Sequence, residues 1–123
     1  MNDVTNWYRK VVEALKLLSL PYEDQKKYFE NFVDIPFEVI DTFDNSFLLL
    51  PQLIEGDKFS LLAVASLIRL HNMINFATKN PHLKDLSEDQ FSSAQEWNQI
   101  RELSKQTLLL IGESIEKPDS NYI

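Results

Sequence analysis

Apolar residues recur at three- and four-residue intervals along most of the 123-residue chain, the spacing of a single stripe on an α-helix. Val4, Trp7, Tyr8, Val11, Val12, Leu15 and Leu18 predict a first helix over 3–18. Ser19 stands where it can cap a second helix, with Pro21 just inside the start and Glu23 and Asp24 at the positive end of its dipole. Tyr22, Tyr28, Phe29 and Phe32 form that helix's inner face. Asp34 is a good N-cap for a third helix, which turns Val39, Ile40, Phe43 and Phe47 inward. Pro51 removes a backbone donor and predicts a break before Leu53. A fourth helix over 58–78 is apolar around most of its circumference, the pattern of a helix surrounded by others. After the loop 79–86, Ser87 with Gln90 and Ser93 with Glu96 read as capping boxes. They introduce a short turn and a last helix over 94–111, with Trp97, Ile100, Leu103, Leu108 and Ile111 inward.

No period-2 run competes with these patterns, and hairpin turn pairs are missing. The two glycines, Gly56 and Gly112, each follow a helical pattern, where a left-handed residue commonly closes the last turn. The expected fold is all-α, a compact single-domain bundle of about five to six helices over 1–112. The tail 113–123 has little periodicity and is expected to be flexible.

Composition narrows the chemistry. With 44% hydrophobic and 25% charged residues the chain falls in the ordinary globular range, and its lack of cysteine excludes disulfides, thiolate metal sites and cysteine nucleophiles. No uninterrupted apolar stretch resembles a signal peptide or a membrane span, so a cytoplasmic protein without membrane contact is expected. His71 and His82 are eleven residues apart, which fits no zinc pair. His71 reads as an interior histidine with a hydrogen-bond partner, and Arg69 points away from it on the helix. Phosphate loops and nucleophile elbows are excluded by the isolated glycines, and no metal or cofactor is expected.

The distribution of charge is the remaining lead. Residues 22–45 carry seven carboxylates against two lysines, a net of −5 in a chain of net −7, and residues 85–123 hold a second net −5. Glu23, Asp24, Glu30, Asp34, Glu38, Asp41 and Asp44 are the candidate partner-binding residues. Asp34, Glu38, Asp41 and Asn45 fall within roughly 60° of arc and form an acidic ridge opposite the apolar face. Segregated charge of this kind steers association with an oppositely charged surface and repels nucleic acid.

The order of elements adds a resemblance. Leu20-Pro21, Tyr22-Glu23-Asp24-Gln25 leading to Phe29, Val33-Asp34, Asp41 with Phe43-Asp44-Asn45, Glu96-Trp97 with Arg101, and Leu110-Ile111-Gly112 together resemble immunity proteins of bacterial polymorphic toxin and contact-dependent growth inhibition systems. The resemblance implies a non-enzymatic cytoplasmic protein that binds and neutralises a cognate toxin domain, often a nuclease. A nuclease site is basic because it holds phosphate, and an acidic face suits it as a plug. Two other functions fit the same residues. One is a nucleic-acid-mimicking inhibitor of a DNA-binding enzyme, against which the positive stretches at Arg9-Lys10 and Lys79–Lys84 count. The other is a small helical enzyme centred on His71.

Overall fold

A computed structural model describes residues 3–31, 33–79 and 88–123. Among the described residues seven α-helices follow in order: α1 Asp3–Ser19, α2 Tyr22–Gln25, α3 Ile35–Phe47, α4 Leu50–Glu55, α5 Leu61–Lys79, α6 Glu88–Ser93 and α7 Gln95–Ile111. A 3-10 turn over Lys26–Tyr28 extends α2, and another over Ser120–Tyr122 ends the tail. Among the described residues there is no strand, as the all-α expectation required.

The four long helices form a closed quadrilateral in which α1 packs on α3 and α7, while α5 packs on α7 and α3. Val12, Leu15, Val39, Phe43, Leu67, Leu70, Ile74, Ile100 and Leu108 fill the space between them, all nearly or fully removed from water. At about 1.5–3 kcal/mol for each such side chain, this shared core is the main source of stability.

Several local signals act as the sequence predicts. Asp34 caps α3, its Oδ1 accepting from the Phe37 amide at 3.2 Å, an arrangement worth about 1 kcal/mol. Pro51 stands in the first turn of α4, where its missing donor costs nothing. The chain breaks at Leu48–Leu49, just ahead of it. Gly112 closes α7 at φ 89°, a conformation that burdens any residue with a Cβ.

Others do not. At the end of α4 it is Asp57, not Gly56, that adopts positive φ (56°). Gly56 answers to space instead, since a Cβ there would lie 3.2 Å from Val4 Cγ1. Ser19 and Ser93 cap nothing: their hydroxyls donate back to Lys16 O and Asp89 O. Pro21 and Ala94 hold the N-cap positions without a side-chain bond. Back-bonding to a carbonyl three or four residues earlier is the usual competitor of a serine cap. The inner face beginning at Tyr22 is only one α-turn long, with buried Gln25 donating to Leu17 O at 3.1 Å. Phe32, His82 and Ser87 lie outside the described residues.

Two differences change the architecture. The predicted central helix, α5, buries only one side and leaves Leu61, Leu62, Ile68 and Phe76 exposed. By length and composition it is the one described helix that could cross a membrane, although its buried side belongs to the bundle core. The central helix is α1, in which every residue from Val11 to Ser19 is buried.

The second difference accounts for the burial of α1. The tail after Gly112, expected to be flexible, runs back along the polar side of α1. Tyr8 Oη donates to Glu113 at 2.8 Å, Arg9 bonds both Glu13 and Glu113, and the Asp119 amide donates to Glu13 Oε1 at 2.8 Å. Tyr28 Oη reaches Pro118 O at 3.0 Å, and Lys16 Nζ lies 3.5 Å from Glu13 and 4.0 Å from Glu116. Burial and the Glu113 carboxylate together push the Tyr8 hydroxyl up to about 12. The tail's negative charge is therefore matched by α1's own cations.

Candidate functional site

The acidic ridge is positioned by α3. Its inner residues Ile35, Val39 and Phe43 are buried against α1, which fixes the rotation of the helix and turns the ridge away from α1, with Asp34 and Asn45 exposed and Glu38 and Asp41 half-buried. Asn45 Nδ2 donates to Asp41 Oδ2 at 3.3 Å, one turn along the ridge. Glu38 and Asp41 form one wall of a cleft of about 340 Å³, with Lys10 of α1, Phe29, Leu49 and the tail residues Tyr122 and Ile123 around it.

The seven candidate acids separate into three groups. Glu23 and Asp24 are each paired with their own lysine three residues on, Lys26 and Lys27, both at 3.2 Å. Such exposed pairs contribute little stability, yet they neutralise the local field. Glu30, Asp34, Glu38 and Asp41 make no ion pair among the described residues. Asp34 divides its carboxylate between the helix cap and solvent.

Asp44 does not belong to the ridge. It is half-buried on the side facing α5, and its Oδ1 has no hydrogen-bond partner among the described residues. Burial pushes its carboxyl above the ordinary carboxylate range, a trend that His71 opposes and Asp41 reinforces. A raised native value means that the folded state favours the protonated acid. Its contribution is present below the ordinary carboxylate pKa and is lost as pH rises through the raised value. Asp44→Asn is therefore expected to raise the urea midpoint at pH 7, with the difference from wild type closing below about pH 4. Equal midpoints at pH 7 would show that the carboxylate is solvated.

His71 lies on the neighbouring stretch of α5, its ring stacked on Phe47 with centroids 4.1 Å apart and planes 6° from parallel. Its Nδ1 is 3.5 Å from Asn75 Nδ2, a long contact. This is a half-buried packing position with a polar neighbour, and no cluster of metal-ligating side chains occurs among the described residues.

Trp97 and Arg101 are structural, as their place on the last helix suggests. Trp97 packs against Phe91, which meets Tyr22 edge-on. The Arg101 guanidinium donates to Phe91 O, Ser92 O and Asn98 Oδ1, so it holds the last carbonyls of α6 at the negative end of that helix.

Sequence reasoning did not find the α5–α7 groove. Ala65, Ile68, Met73, Phe76, Ala77 and Ile100 line an apolar depression of about 660 Å³, rimmed by Arg69, Asn72, Glu96 and Gln99. Its signal was present in the apolar circumference of α5, which reads equally as a fully enclosed helix. No protein-family model, curated protein or solved structure matches the chain.

Proposed function

We propose that this chain is a non-enzymatic binding protein that neutralises a cognate toxin domain, its α3 acidic face covering a cationic site such as that of a nuclease. The observation that carries this reading is the unpaired state of Glu38 and Asp41, held side by side on a cleft wall by a rigid helix while the acids of α2 and the tail have partners within the chain. Carboxylates that make no ion pair among the described residues keep their charge available for an incoming cationic surface. The fixed rotation of α3 presents them without an ordering cost at binding. The resemblance to immunity proteins supplies the class of partner.

The test is whether a reading frame next to this gene encodes a toxin domain against which co-expression of this chain protects, together with titration of the purified pair. Glu38→Lys with Asp41→Lys removes two attractive contacts and creates two repulsive ones. At roughly 1.5 kcal/mol or more for each close charge pair, affinity is expected to fall at least about a hundredfold, with loss of protection. The double variant should retain the wild-type helical spectrum, because neither side chain belongs to the buried core. Undiminished protection and affinity in that folded variant would remove the ridge from the interface.

A further inference from the structure

The outward side of α5 carries an apolar surface that the bundle does not use. Leu61 is 86% exposed, Leu62 71%, Phe76 64% and Ile68 43%. Together with Ala65, Arg69 and Asn72, which are also exposed, they occupy about 120° of the helix circumference. The surface continues onto α7. Ser66 and Thr107 touch at 2.6 Å, which sets the antiparallel register of the two helices. That register places exposed Leu110 beside Leu62, while Glu96 and Gln99 line the groove with Phe76 at the other end.

We propose that this face is the contact between two copies of the chain, with the α5 helices packed antiparallel across a two-fold axis between Ile68 and Arg69. The row of exposed positions is symmetric about that point. Reversal sets Leu61 against Phe76 of the other copy, Ala65 against Asn72 and Ile68 against Arg69, so that the two Ile68–Arg69 pairs flank the axis. An isologous contact requires such self-complementarity. The fit extends to shape, because Leu61 of each copy is carried toward the end of the groove lined by Met73, Phe76, Ala77 and Ile100 in the other. Ala65 is small enough for the helices to approach closely, and Arg69, next to the axis, can lay its stem along the other copy while its guanidinium reaches solvent.

Area and charge both favour this occupant. The exposed parts of Leu61, Leu62, Ile68, Phe76 and Leu110 present on the order of 600 Å² of apolar surface, the upper end for the largest patch on a monomer. Complete burial on both copies would remove about twice that area from water, about 1,200 Å², which reaches the lower bound of a stable specific interface. The α5 part of the face also comes from the stretch 46–84, which carries four basic against two acidic residues in a chain of net −7. Repulsion between two acidic copies is therefore weak there.

Sedimentation velocity of the full chain from 1 to 100 µM tests the proposal. The expected result is a concentration-dependent species of twice 14.4 kDa. Ile68→Lys, which sets cations against each other and against Arg69 at the axis, and Leu61→Asp, which puts a charge into the groove, should each raise the dissociation constant at least about a hundredfold. Both positions are exposed, so circular dichroism should be unchanged. A wild-type chain that remains monomeric at 100 µM overturns the proposal, including the case in which the monomer's groove takes a foreign helix. A dimer that survives both substitutions overturns it as well, because another face then makes the contact.

Discussion

Replacing Glu13 by alanine is expected to destabilise the chain by about 3–5 kcal/mol, the usual result of removing one partner from a buried ionic group. Glu13 is 1% exposed, yet Arg9, Lys16 and the Asp119 amide all converge on its two oxygens. Without it, Lys16, itself 5% exposed, keeps a buried ammonium whose remaining acidic neighbour is Glu116 at 4.0 Å. The Asp119 amide also loses its acceptor, so the tail should detach before the bundle unfolds. Urea unfolding gives the first quantity, and hydrogen exchange at the Asp119 and Asn121 amides gives the second. Glu13→Gln keeps an acceptor and most of the volume, and should fall between alanine and wild type. A midpoint for Glu13→Ala within 0.5 kcal/mol of wild type, the range of ordinary surface substitutions, would mean that the tail contributes nothing to the fold.

That arrangement also shows where sequence reading reached its limit. Helix positions and the Asp34 and Gly112 caps were legible because they depend on residues close in sequence. The burial of Glu13 and Lys16 depends on residues about a hundred positions away. A helical wheel assigns both to a solvated side, so it makes α1 peripheral. The same wheel counts apolar residues on α5 without knowing whether a neighbour covers them, so it makes α5 central. The two cases differ in cause: the tail's carboxylates cover the polar side of α1, whereas no helix among the described residues covers the outer apolar residues of α5.

The ridge was legible to a similar depth. Phase along α3 gave the outward direction of Asp34, Glu38 and Asp41, because a single buried face fixes it. Glu23 and Asp24 had their lysines in plain view at three-residue spacing, yet a segment-wide charge count conceals such neutralisation. Asp44 lies about 80° around α3 from Asp34, at an angle that a wheel cannot assign to solvent or to a neighbouring helix. The approach of α5, with Phe47 stacked on His71, decides it.

Phe43→Ala is expected to cost about 3–5 kcal/mol, through loss of transfer free energy and the cavity left behind. The ring is fully buried and meets Phe47 at 5.9 Å, which in turn stacks on His71, so the void opens where α3 meets both α1 and α5. Phe43→Leu keeps most of the volume and should lose less than about 1.5 kcal/mol. The consequence reaches the ridge, because Phe43 is one of the three buried apolar side chains that set the rotation of α3. In the alanine variant α3 can rotate or shift to fill the void, moving Glu38 and Asp41 relative to Lys10 on the opposite cleft wall. Binding of the cognate toxin should then weaken by more than the unfolded fraction accounts for, whereas Phe43→Leu should leave affinity intact. Chemical denaturation combined with titration under conditions where each variant is fully folded separates the two effects. If the folded alanine variant binds as tightly as wild type, the orientation of α3 does not control recognition, and the ridge loses its claim to be a preorganised surface.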